Sequence, residues 1–196
     1  YVRPARLVDA ADFAAVQRRS WQASAATMAI PEPPELEHME RLWERSITVP
    51  PSDRHQTWVA VDRTPDSETV VGVAAVAPAS DPDVDANRCI ELLVLTVQPE
   101  SRGRGHGSRL LSAALDTAGE RGESEAVAWV ASGDDGTRRF LESAGWIADG
   151  AFRTLSDDEE NPEAALRQVR LATSLALDAD EAPSDDALSE KAPPGD

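Results

Sequence analysis

Apolar positions along this chain switch repeatedly between a strand period and a helix period, which predicts a mixed α/β domain. The clearest switch lies mid-chain. The apolar run Ile90 to Val97 reads as a buried strand, a proline turn follows, and glycine then stands at 103, 105 and 107. Leu110, Leu111, Ala114, Leu115 and Ala118 next repeat at helical spacing, to about Glu120. Upstream, a short first strand ends at Leu7. Asp9 is placed as an N-cap with Asp12 three residues on, and Phe13, Val16, Ser20 and Trp21 share one helical face. Pro31, Pro33 and Pro34 interrupt the chain before a second amphipathic helix carrying Leu36, Met39, Leu42 and Trp43. Gln56 to Asp62 and Glu68 to Ala77 read as a hairpin, and Ser80 to Arg88 as a polar loop. Downstream, Ala126 to Ala131 reads as a strand. Asp134 or Asp135 caps a helix that ends at Gly145, and Ala151–Leu155 and Leu166–Thr173 close the fold as two strands around an acidic loop.

Strand, glycine loop and helix N-terminus together form an anion site. The first N–H groups of a helix lack internal acceptors, the macrodipole is positive there, and glycine admits a phosphate close to the backbone. Arg102, Arg104 and Arg109 add positive charge around it. The Walker pattern is excluded because no Gly-Lys pair occurs, and the dinucleotide fingerprint, counted from Gly103, fails at Ser108. The pattern that fits is Q/R-x-x-G-x-G/A, filled by Arg102, Gly105 and Gly107.

That loop, preceded in register by Glu91-Leu92-Leu93-Val94-Leu95-Thr96-Val97-Gln98-Pro99, resembles the pyrophosphate loop of the GNAT superfamily of N-acetyltransferases. The resemblance runs over roughly residues 1 to 173. It takes in Val2-Arg3-Pro4-Ala5, the hairpin segments Trp58–Val61 and Val70–Ala74, Val127–Val130, and Arg138-Arg139-Phe140 with Glu142–Trp146. It implies a mixed, mostly antiparallel sheet of about six to seven strands flanked by about four helices. It also implies acetyl-CoA as co-substrate, no metal, and a small-molecule or peptide amine as acceptor, attacked directly without a covalent enzyme intermediate. Cofactor contacts are expected at Leu95, Val97, Arg102, Gly103, Arg104, Gly105, His106, Gly107, Ser108 and Asp134, the strand residues serving through their backbone. This fold often dimerises through its sheet edge or C-terminal segment.

The resemblance assigns Glu91 as the base for the incoming ammonium, directly or through water; a solvated or structurally ion-paired glutamate is the alternative. A carboxylate in an apolar cleft can have its pKa raised toward a useful range. The chain departs from the family in two places. The tyrosine that usually serves as acid for the leaving thiolate is Leu141, and Tyr1 is the only tyrosine present; the usual asparagine ahead of that helix is Asp134. Loss of a general acid costs roughly 10²–10⁴-fold. A thiol pKa of about 8.5 still makes thiolate a tolerable leaving group. Ser132, Ser143 or water could stand in. A non-catalytic or weakly active acyl-CoA-binding module on the same fold is therefore a competing reading, and a longer acyl-CoA donor a third.

Charge adds boundaries. At 196 residues and a net charge of −17, the chain suits one domain, and that charge argues against nucleic acid. From Asp178 to Asp196 seven acids stand against Lys191 alone, so residues 1–175 are expected to form the domain and 176–196 a disordered acidic tail. No apolar run spans a bilayer and no signal-peptide pattern opens the chain, which leads to the expectation of a cytoplasmic protein without a membrane partner. Cys89, the single cysteine, is read as a packing residue rather than a reactive thiol. His106 is given a packing or phosphate-contact role, His38 and His55 surface or structural ones, and the five tryptophans mostly core ones. Trp21 and Trp43 could also wall an acceptor pocket. The acidic loop Ser156–Glu163 could attract a cationic amine or polyamine, or simply follow the chain's overall acidity.

Overall fold

A computed structural model describes residues 1–25, 31–155 and 165–175. The 156–163 loop and the 176–196 tail, on which two of the expectations fall, lie outside the described residues. Seven strands form one sheet: β1 (Val2–Pro4), β2 (Gln56–Arg63), β3 (Glu68–Pro78), β4 (Cys89–Val97), β5 (Glu125–Ala131), β6 (Ile147–Leu155) and β7 (Leu166–Ser174). Four helices accompany them: α1 (Ala10–Ala25), α2 (Leu36–Thr48), α3 (His106–Glu120) and α4 (Asp135–Ser143). The strand order is β1-β2-β3-β4-β5-β7-β6, and every pairing is antiparallel except β4 with β5. The expected fold class holds. Among the described residues no helix is long and apolar enough to cross a membrane.

Period-two alternation puts a core on each face of the sheet. On one face Trp58, Ala74, Val76, Ile90 and Leu92 pack with Leu110, Leu111 and Ala114 of α3 and with Leu141 of α4. On the other, Val59, Val61, Val73 and Ala75 pack against Phe13 and Val16 of α1, with Trp43 of α2 stacked 4.0 Å from the Phe13 ring. Cys89 is fully buried beside Ala79 and Val127, and burial pushes its thiol up to about 11, so it packs rather than reacts. Of the tryptophans, Trp58 and Trp146 are buried, while Trp21, Trp43 and Trp129 are only partly so.

Asp9 is a correction. It closes a short 3₁₀ turn, Leu7–Asp9, ahead of α1 instead of capping that helix. Its carboxylate turns back to accept from the Arg6 N–H at 2.6 Å and from both Arg3 guanidinium nitrogens at 2.7 and 2.8 Å. Burial opposes its ionisation, but these donors outweigh burial and hold the carboxyl below its ordinary range. The reason is local: Arg3, six residues before Asp9, offers a stronger, charge-assisted partner than a helical N–H.

Candidate active site

The site begins where two strands part. β4 and β5 pair in parallel only through Cys89–Glu125, Ile90–Ala126 and Glu91–Val127. Beyond that rung β4 runs on to Val97 alongside β3 alone, and its side chains go from buried to partly exposed. An irregularity sits at the same place. Ala75 faces Val94 and Val76 faces Leu92, so Leu93 is an extra residue, and it is 52% exposed. The backbone of Leu92–Val97 thus borders an opening in the sheet. Leu95 and Val97 lie along it, and the bulge that starts it, at Leu93, was not singled out from sequence. A run of uniformly apolar residues carries no mark of where a register breaks.

Glu91 stands at the vertex. It is 8% exposed, and burial raises its pKa; Arg153, with one Nη 3.9 Å from Oε1, opposes that rise, while Asp81 adds to it. The reading of a solvated strand-end glutamate is therefore excluded. Arg153 lies on β6, stacks 4.3 Å above the Trp129 ring of β5, and donates from Nε to Gln168 of β7 at 2.7 Å. Trp129 is fixed in turn by an Nε1 hydrogen bond of 3.1 Å to Asp81. Behind it Arg170, 6% exposed, holds Asp149 at 2.7 Å, Asp83 at 2.5 and 2.7 Å, and Asp81 at 3.5 Å. Neither Arg153 nor Arg170, nor the aspartates around them, was singled out from sequence. They lie up to 87 residues apart, and only the β5-β7-β6 order brings them together.

At the far end of β4 the glycine loop turns into α3. Gly103 and Gly105 have φ of +72° and +77°, the left-handed region that a side chain rarely enters. Helix α3 begins at His106, so Gly107 and Ser108 belong to its first turn. Among the described residues, no backbone hydrogen bond is donated by the N–H groups of residues 103 to 108, as expected where the chain enters a helix. Gly107 faces α4. A methyl added there would lie 3.4 Å from the Phe140 ring of α4. Beside this contact a groove of about 310 Å³ runs between α3 and α4, lined by Ser108, Leu111, Ser112, Leu115, Phe140 and Ser143 among others.

The three arginines do not simply face this turn. Arg102 folds back to donate to the Val97 carbonyl at 3.1 Å and to Ser20 of α1 at 3.3 Å. Arg104 pairs with Asp62 of β2 at 2.8 Å, and Arg109 donates to the Arg104 carbonyl at 3.2 Å. His106 is buried, with neither ring nitrogen hydrogen-bonded. Burial first, then Arg109 and Arg104, lower its pKa, so the ring is neutral near pH 7. Asp134 is the N-cap of α4, accepting from the Thr137 N–H at 3.0 Å. Leu141 is 1% exposed and packed in the core, so no acid occupies its place. Tyr1 stands just ahead of β1 and lines a pocket with Val61, Arg104, His106 and Arg109, not the place of Leu141. His38 is exposed and His55 pairs with Ser52 at 2.8 Å, as their surface and structural readings require. Among the described residues no group of His, Cys, Asp and Glu could hold a metal ion.

The donor set fits acetyl-CoA by its own chemistry. Unpaired N–H groups at a helix N-terminus suit a pyrophosphate, and the opening beside Leu92–Val97 suits an extended amide-bearing arm. A family model described as the acetyltransferase (GNAT) family matches residues 18–146. No curated protein sequence matches. Solved structures that share the fold include the following three. A ribosomal-protein-alanine N-acetyltransferase from Brucella melitensis is 22% identical, with 89% of this chain and 99% of that one covered and a TM-score of 0.64. The protein yncA from Salmonella typhimurium, solved with its cofactor acetyl-CoA, is 18% identical over 91% and 95%, TM-score 0.65. A phosphinothricin acetyltransferase from Sinorhizobium meliloti, in complex with acetyl-CoA, is 19% identical over 89% and 87%, TM-score 0.67. The family model covers well over half of the chain, through the parted strands, the glycine loop and α4. This chain belongs to the acetyltransferase (GNAT) family.

Proposed function

We propose that this protein transfers an acetyl group from acetyl-CoA to a primary amine by direct attack. The observation that carries the reading is the placement of a buried glutamate at the vertex of the β4–β5 opening, with the N-terminal turn of α3 at the other end of the same strand. Two of the structural relatives were solved with acetyl-CoA, which supports it as co-substrate. Bound there, acetyl-CoA supplies an acetyl group activated as a thioester.

The chain's residues have separable tasks. The N–H groups of residues 103–108 hold the phosphates. The unpaired edge of β4 near Leu95–Val97 binds the arm and offers an N–H to the carbonyl oxygen as it gains charge. Glu91 takes a proton from the incoming ammonium, directly or through water, and its raised pKa suits it to this near neutral pH. The neutral amine forms the new C–N bond, the C–S bond breaks with its electrons on sulfur, and the proton then lost from the nitrogen passes through water to the thiolate. Leu141 gives no help in that last step. Asp134, occupied as a cap, contributes through the α4 N-terminus rather than through a free carboxylate.

Leu141 favours a second reading, an acyl-CoA-binding module with little activity. Release of CoA thiol, followed with a panel of primary amines, decides between them. Amine-dependent release lost in Glu91→Gln supports transfer. Binding of acetyl-CoA without release from any amine supports the module.

A further inference from the structure

Arg153 and Trp129 form a cationic shelf beside Glu91 that none of the steps above uses. The guanidinium carbon lies over the indole, 4.3 Å from the ring centroid, and its Nε is tied to Gln168. Its nearest Nη stops 3.9 Å short of the Glu91 carboxylate, beyond hydrogen-bond reach. Among the described residues the guanidinium makes no other hydrogen bond, and its side chain is 36% exposed. The shelf is rigid. Trp129 is anchored to Asp81, and Asp81 sits against Arg170, whose own charge is already met by Asp83 and Asp149. Its buried neighbour Arg170 therefore has no charge to spare, whereas Arg153, among the described residues, meets only the Glu91 carboxylate, at 3.9 Å. A stacked, pre-oriented guanidinium with an open edge is matched to a planar carboxylate.

Resting on the acetyl-transfer reading, we propose that Arg153 is the specificity-determining residue of the acceptor site, selecting an amine that carries a carboxylate on the neighbouring carbon. The acceptor class is thus the free α-amino acid. Glu91 faces its ammonium, the Arg153 edge faces its carboxylate, and Trp129 walls the side chain. A polyamine or aminoglycoside would bring like charge against Arg153. An amino acid amide would leave the guanidinium without its partner.

The test compares kcat/KM for CoA-thiol release with the standard α-amino acids, their C-terminal amides, putrescine and spermidine. Wild-type protein and the Arg153→Gln and Arg153→Lys variants are measured side by side. The expected result is turnover of one or more amino acids. The preference for acid over amide falls at least about tenfold in Arg153→Gln, with partial recovery in Arg153→Lys. A merely structural role, or a changed Glu91 pKa, would lower acid and amide together and leave that ratio alone. An unchanged ratio overturns the proposal, as does faster turnover of the polyamines than of any amino acid. Folded protein that binds acetyl-CoA but turns over none of these amines also overturns it, while leaving the cofactor half of the functional reading intact. Failure to bind acetyl-CoA would overturn that reading itself.

Discussion

Glu91 and Val127 form the last rung of the parallel ladder between β4 and β5. One residue thus ends the hydrogen-bonded part of the strand and begins its open part. Its carboxylate is buried by the closed side and placed at the mouth of the other.

This position sets opposite demands on activity and stability. Because burial raises the folded-state pKa, the fold favours the protonated carboxyl and is penalised once the unfolded carboxyl ionises, above its ordinary 4.5. Glu91→Gln removes that penalty at neutral pH. The variant should melt higher than wild type, at about 2–4 °C per kcal/mol for a chain of this size, while kcat falls roughly 10²–10⁴-fold. In the wild type, kcat/KM should drop as pH falls through the raised pKa. Thermal melts at pH 7 and a pH–rate profile check both.

Leu141 tests whether the missing acid can be restored. A tyrosine adds a ring hydroxyl at a site that is 1% exposed and shared with Trp146. Leu141→Tyr should therefore cost about 1–3 kcal/mol of stability by overpacking. If the hydroxyl reaches the opening, amine-dependent thiol release rises. Denaturant melts together with the thiol assay separate the two effects.

His106 is buried without a partner for either nitrogen. Its lowered pKa means that stability is lost as pH falls through the ordinary imidazole value of 6.5, because the unfolded ring gains a proton that the folded ring refuses. His106→Leu should raise stability at pH 7 by about 1 kcal/mol, since an unpaired buried polar group costs about 1–3 kcal/mol. It should also flatten the decline that begins as pH falls below 6.5. Chemical denaturation at several pH values reads this out.

Arg170 is the opposite case, a buried cation meeting three carboxylates. Arg170→Met leaves Asp81 and Asp149 without it and should cost about 3–5 kcal/mol. It should also loosen Trp129, which Asp81 anchors. Urea melts and tryptophan fluorescence follow the two consequences.

Much of this was legible in the chain because it depends on local pattern. The glycine loop, the strand before it and the hairpin Gln56–Arg63 with Glu68–Pro78 are each set by neighbours within a few residues. Helix α3 starts earlier than its apolar period shows, since His106, Gly107 and Ser108 complete a first turn that needs no apolar face. The bulge at Leu93 and the destinations of Arg102 and Arg104 were not legible. They depend on which strand stands opposite, and on Ser20 and Asp62 far away in sequence. The Arg153–Trp129–Arg170 group is the extreme case, because β7 inserts between β5 and β6 and no sequence period records that insertion.

The most direct test of the central claim is calorimetric titration of acetyl-CoA into the wild-type protein and into Gly105→Glu, with circular dichroism confirming that both are folded. Gly105 caps α3 with φ of +77°, so glutamate there strains the turn and sets a negative charge where phosphate would lie. Micromolar binding by the wild type that is lost in the variant is the expected outcome. A folded wild type that takes up no acetyl-CoA, or a Gly105→Glu variant that binds it equally well, would contradict the account.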